Sequence, residues 1–253
     1  MNWLALDLTI LGPALLAGVL ITSTHVPLGQ YVLKRGIIFL DLAVAQIAGL
    51  GIIAAYSFDW EPGGWQMQLI AMAAAILGVL LLNYTEKKWP EIQEALIGSL
   101  FVLASSGSIL LLATNAHGGE QLRELLVGQI LWVSYEQLIP VFILYAAILS
   151  IWYGLSNRAS SLQFYVLFAL TITASVQLIG VYLVFASLIL PALAIRNVSK
   201  FTLGYGYIIG SVGYVSGLIL AALLDMPAGA MIVYSLAITA LFTGWFLTKR
   251  LIK

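Results

Sequence analysis

One carboxylate, Asp41, stands in the run RGIIFLDLAVAQIAGLG, residues 35–51, which is otherwise almost wholly apolar. An Asp carried to the centre of a bilayer costs about 2.5–3.5 kcal/mol on insertion scales, so it needs a route to the membrane edge or a task. Two readings fit: the side chain snorkels or pairs with Lys34 or Arg35 at the edge, or it lines a path for cations. Gln46, deeper in the run, offers a carbonyl oxygen to a cation or a hydrogen bond to a neighbouring helix. On a helix, five residues at about 100° each set Gln46 about 140° around from Asp41, so the two make no ready pair of ligands on one face.

A second polar concentration is TNAHGGEQLRELLVGQILWVS, residues 114–134. His117 and Glu120 are three apart, near enough to meet one divalent cation if the segment turns helically. Imidazole with carboxylate suits Zn²⁺, Mn²⁺ or Fe²⁺, but two ligands are too few for a closed site. The plainer reading is a solvated loop. The apolar tail LLVGQILWVS, residues 125–134, is able to dip back into a membrane ahead of the next span.

Composition says which elements must hold these side chains. The chain is 62% hydrophobic and 9% charged, with a mean hydropathy of +1.03. Soluble domains carry about 25% charged residues, so lipid rather than one aqueous core must solvate the excess. The reading is an all-α, polytopic integral membrane protein, a single transmembrane domain over residues 1–253. Spans of about 20 apolar residues fall at roughly 8–28, 37–57, 66–84, 92–113, 136–155, 163–184, 203–224 and 229–248. Residues 163–195 are too long for one span and too short for two full ones. A span followed by a half-helix or re-entrant piece, broken near Pro191, fits, and such backbone belongs inside protein or beside a water-filled path.

Lys34, Arg35, Lys87, Lys88, Arg158, Arg196, Lys200, Lys249, Arg250 and Lys253 fall on one side of this alternation, if 163–195 re-enters or crosses twice. By the bias of basic residues that side is cytoplasmic, which places the N-terminus outside and the C-terminus inside. The first 33 residues hold no Lys or Arg, so the N-terminal apolar run reads as a retained span rather than a signal peptide.

Enzyme signatures are scarce. The sequence has no cysteine, only two histidines, no phosphate-cradling P-loop and no HExxH pair. A net charge of zero gives no reason to expect nucleic acid. With no soluble domain between spans, any energy must come from an ion gradient or another polypeptide. Small residues are denser: Ala45 and Gly49 form a small-xxx-small pair, and Gly204, Gly206, Gly210, Gly213 and Gly217 recur in one run. They read as close helix packing, with or without a sliding gate.

Three blocks resemble the permease subunits of metal-type ATP-binding cassette importers, the zinc, manganese and iron uptake family. They are VPLGQYVLKRGIIFLDLAVAQIAGLGI (26–52), ALIGSLFVLASSGSILLLA (95–113) continuing into LLVGQILWVS (125–134), and VQLIGVYLVFASLILPALA (176–194). The resemblance implies a homodimer or pair of permease subunits in the plasma membrane, two cytoplasmic ATPase subunits and an external metal-binding protein. It implies alternating access at the subunit interface, with a divalent metal as transported substrate and no resident cofactor. Asp41 and Gln46 would lie near the path, His117 and Glu120 near the outer entrance, and the broken helix at Pro191 beside the path.

Two departures stand out. The family's Asp–His pair, four apart on one helix face, falls here on Leu42 and Gln46, so metal selectivity does not carry over with it. The family's ATPase-docking pattern is also missing from YGLSNRASSLQ, residues 153–163, so either docking uses other loops, for example 83–91 or 196–202, or this is a divergent member whose coupling has changed. The same gap is the best support for a different reading, an ATP-independent transporter or channel. A third is a non-transporting assembly subunit packed through its glycine-rich helices.

Overall fold

The computed structural model describes residues 7–56, 65–113, 118–154, 160–198 and 201–251. Its helices are α1 (Leu8–Arg35), α2 (Leu40–Tyr56), α3 (Trp65–Lys88), α4 (Gln93–Leu112), α5 (Gly118–Val127), α6 (Tyr135–Gly154), α7 (Ser161–Ile179), α8 (Val181–Ala194), α9 (Thr202–Leu224) and α10 (Ala228–Leu251). Among the described residues there is no strand. Seven helices among the described residues are long and apolar enough to cross a membrane, and α2 and α8 are shorter apolar helices. The 17 residues of α2 rise about 26 Å, close to a hydrocarbon core of about 30 Å. Eight near-full spans and one short return agree with the reading from sequence.

Local chemistry sets the ends of α1. Asp7 caps it, its Oδ1 accepting from the Thr9 N–H at 2.8 Å. Gly36, at φ 72°, closes the other end in the left-handed conformation, where glycine carries no Cβ penalty. Lys34 and Arg35 occupy the last turn, at the negative end of the helix dipole.

The region 163–195 is broken, but not at Pro191. The break is at Gly180, whose φ of 77° and ψ of 163° end α7 and start α8. Pro191 lies inside α8, buried, where the helix continues past it to Ala194. A proline is tolerated in a membrane helix, whereas this backbone conformation belongs almost only to glycine. α8 then runs back toward the start of α7. Gly29 of α1 rests against the Leu188 carbonyl and Ala192 of α8. Two residues on, Tyr31 packs on Phe164 near the α7 start, ring centroids 4.4 Å apart.

The glycines of α9 serve two neighbours. Gly206 meets Val26 and Gly210 meets Thr22 on α1, while Gly213 meets Leu236 and Gly217 meets Ile232 on α10. On α2, Gly51 lies against Ala74 of α3, and Gly49 lies against Leu125 of α5. The tail after α5 therefore enters the bundle, and Ile130 within it is buried. Outward faces carry Leu103, Leu110, Phe142 and Leu241, all well exposed and suited to lipid.

Candidate functional site

Asp41 sits in the first turn of α2, just after the chain has doubled back from the end of α1. It is 1% exposed, and neither carboxylate oxygen has a hydrogen-bond partner. The edge reading of this residue is not what the structure shows. Arg35 is committed elsewhere: its guanidinium lies 3.4 Å from Glu86 and donates to Ser161 Oγ at 3.3 Å. It also stacks over the rings of Tyr31 and Phe164, at 5.1 and 5.7 Å. With Asp41 this deeply buried, snorkelling to the surface is ruled out as well.

What approaches Asp41 is another carboxylate. Glu94, in the first turn of α4, reaches across so that its Oε1 accepts the Phe39 N–H at 3.2 Å. It satisfies one of the free donors at the start of α2. Its other oxygen is buried without a partner, and the two carboxylates are near enough to repel one another. The neighbouring Gln93 fixes the start of α4: Nε2 donates to the Leu82 carbonyl at 2.9 Å and to Tyr165 OH at 3.3 Å, while Oε1 accepts from Thr85 at 2.9 Å. Glu94 and Gln93 are polar residues that the sequence reading passed over. Their visible signal was an acidic–amide pair opening an apolar span just after Pro90.

Gln46 is 1% exposed and its Oε1 has no partner. It lies deeper along α2, and the structure does not bring it onto the face of Asp41. Both residues lie inside the bundle of a single chain rather than on its outer surface. His117 lies outside the described residues. Glu120 is exposed in the first turn of α5, beside a cavity of about 290 Å³ that Arg123, Glu124 and Gly229 also line. Among the described residues, no three of His, Cys, Asp and Glu converge on one point. A larger cavity of about 750 Å³ lies between α3, α6 and α7, with Gln68, Gln129, Gln137 and Gln177 in its wall.

Comparison with known proteins bears on this arrangement. The model of the ABC 3 transport family matches residues 7–153 and 149–247. The high-affinity zinc uptake system membrane protein ZnuB of Haemophilus influenzae is 24% identical over 246 residues, covering 88% of this chain and 92% of that protein. The manganese transport system membrane protein MntC of Halalkalibacterium halodurans is 24% identical over 250 residues, covering 90% and 84%. Among solved structures, PsaBC from Streptococcus pneumoniae in complex with Fab superposes with a TM-score of 0.75 at 18% identity, over 92% of this chain and 90% of that one. That likeness is one of fold.

Proposed function

The chain belongs to the ABC 3 transport family, and from that premise we propose that it is the membrane permease subunit of an ATP-driven importer of divalent transition-metal ions. The observation that carries the reading is the family match along nearly the whole helical bundle, from residue 7 to residue 247. Relatives named for zinc and manganese transport set the class of cargo. Two such subunits pack together, and cytoplasmic ATPase subunits dock on the end that carries Lys34, Arg35, Lys87, Lys88 and Arg196. The N-terminus faces outward, where an external metal-binding protein delivers the ion near α5. His117 and Glu120 stand at that entrance, and Asp41 and Gln46 become reachable when helices around α2 part during alternating access.

The test is purification of the tagged chain from its native host in mild detergent, followed by identification of what accompanies it. A stoichiometric ATPase subunit is the expected companion, with ATP-dependent metal uptake once the pair is returned to vesicles. An intact permease that never carries an ATPase, even after crosslinking before extraction, overturns the ATP-driven reading in favour of gradient-driven transport.

A further inference from the structure

The cavity of about 750 Å³ lies at the end of the bundle opposite Arg35: α3 and α6 begin at it, and α7 ends at it. Its volume is that of a pocket for an organic molecule. A divalent ion with six waters occupies only about 200 Å³, at about 30 Å³ per water. One primary amide comes from each of α3, α6 and α7, as Gln68, Gln137 and Gln177, and a fourth, Gln129, comes from the tail after α5. Gln177 Nε2 is buried without a hydrogen-bond partner. It is a donor, so what satisfies it is an acceptor. The indoles of Trp65 and Trp132 add two flat faces to the wall.

The same wall is poor in metal ligands. Its described residues include no histidine and one charged side chain, Glu124, whose Oε1 already accepts from Gln129 Nε2 at 2.6 Å. The chain has no cysteine and two histidines. One of these, His25, is buried within α1 with its Nδ1 3.0 Å from the Ile21 carbonyl. Transition-metal ions are held by imidazole, thiolate and carboxylate, and neutral amides are poor substitutes for them. Those amides are good partners, however, for carboxylate and amine groups on an organic ligand. With one carboxylate and no cation in the described wall, a neutral guest is favoured over an anionic one.

We propose that this cavity binds a divalent transition metal as a neutral complex with two amino-acid ligands, of which the bis-histidine complex is the type, rather than as the bare ion. The ligands bring the imidazole that the wall lacks. Their carboxylates accept from the glutamine amides, Gln177 Nε2 among them, and their rings stack on the two indoles. The claim that the complex is cargo rests on the permease reading; the claim that the cavity binds it does not.

The experiment is equilibrium dialysis of the purified, untagged full-length chain in nanodiscs against radiolabelled Zn²⁺ and L-histidine, with protein-free nanodiscs as blank. One zinc and two histidines per chain are expected from the mixture, bound at least tenfold more tightly than zinc alone or histidine alone. Gln177→Leu should weaken binding at least tenfold with an unchanged or raised melting temperature, because it deletes an unsatisfied donor. A glutamine with a merely structural role would not separate the two readouts. Glu86→Gln, at the far end of the bundle, leaves binding unchanged. Zinc retained without histidine, retention of neither label, or binding that survives Gln177→Leu overturns the proposal. Where Gln177→Leu fails to fold, Gln68→Leu and the joint retention of both labels by the wild type decide. ATP-dependent zinc uptake that needs no histidine sinks the complex and leaves the permease reading standing; binding of the complex by a chain that never carries an ATPase does the reverse.

Discussion

Gly128 and Gly180 meet backbone to backbone: a Cβ on Gly180 would fall 2.6 Å from the Cα of Gly128, and one on Gly128 would overlap the Ile179 carbonyl. Both have positive φ, 71° and 77°. Beside them, Gly229 at the start of α10 lies against the Val127 carbonyl, at a distance where a Cβ would come within 2.8 Å. The end of α5, the α7–α8 break and the start of α10 thus converge at one point. At the turn between α7 and α8, main chain packs on main chain.

Alanine at Gly180 is therefore expected to destabilise the protein strongly. Strained backbone alone is worth about 1–3 kcal/mol, and the overlap with Gly128 adds to it. Gly98→Ala, at a position with open space around it, is the matched control and should be neutral or slightly stabilising, since alanine is the better helix former. Thermal unfolding in detergent compares the two. Equal melting temperatures for both variants would mean the contact is not rigid.

This junction also shows what the sequence could reveal. Long apolar runs mark the spans because nothing but lipid or protein accepts them. The discontinuity in 163–195 was legible from its length, yet its position was not. Pro191 is the residue that draws attention, while Gly180 is one of 23 glycines and only its backbone angles distinguish it. Asp41 was legible as an anomaly, but its surroundings were not. Arg35, in the last turn of α1, reads as a partner for Asp41, whereas the carboxylate that Arg35 pairs with is Glu86, which arrives on α3. Glu94 reads as a favourable charge at the start of its own helix, and only tertiary packing lets it cap a helix 55 residues earlier.

Two buried tyrosines give a graded prediction. Tyr145 OH meets Ser175 Oγ at 2.5 Å, and Tyr214 OH meets Ser187 Oγ at 2.8 Å. Each serine also donates to its own helix, Ser175 to the Thr171 carbonyl and Ser187 to the Leu183 carbonyl, both at 2.7 Å. Tyr→Phe at either site leaves no unsatisfied donor behind and should cost about 0.5–1.5 kcal/mol. Tyr214→Ala should cost about 3–5 kcal/mol, because the ring fills the space against Gly18. Denaturation curves for the three variants check the order.

At the other end of the bundle, Arg35 joins α1, α3 and α7 through Glu86, Ser161, Tyr31 and Phe164. Its side chain is 29% exposed, so the ion pair by itself is worth at most about 1 kcal/mol. Arg35→Ala also loses the stacking on two rings and should cost about 1–2 kcal/mol in all. Glu86→Gln should cost less than Arg35→Ala, and added salt should narrow only the part that comes from charge. A Glu86 variant as destabilised as the Arg35 variant would show that the rings contribute nothing.

The cap of α1 carries a pH dependence of known sign. The Thr9 N–H, and after it the Thr9 hydroxyl, hold the exposed Asp7 carboxyl below its ordinary value of 3.8. A carboxyl with a lowered folded-state value contributes stability that is present above the ordinary value and is lost as pH falls through the folded one. Amide hydrogen exchange across residues 7–15, corrected for intrinsic rates, should stay flat from neutral pH to about 4 and rise below it. Asp7→Asn should remove that rise while keeping much of the cap, since Asn is itself a good N-cap. A rise that persists in the Asn variant would assign the effect to another group.

Asp41→Asn separates transport from architecture in the proposed permease. The exchange keeps the shape, takes away the capacity for negative charge, and leaves a neutral side chain where no cation among the described residues pairs with it. Because burial of an unpaired charge is unfavourable, the variant should be at least as stable as the wild type in the absence of metal. Metal uptake by vesicles holding the complete transporter should fall at least tenfold, with normal membrane levels and ATPase association. Unchanged uptake with the same gain in stability would make Asp41 a structural residue and would move the ion's route elsewhere in the dimer.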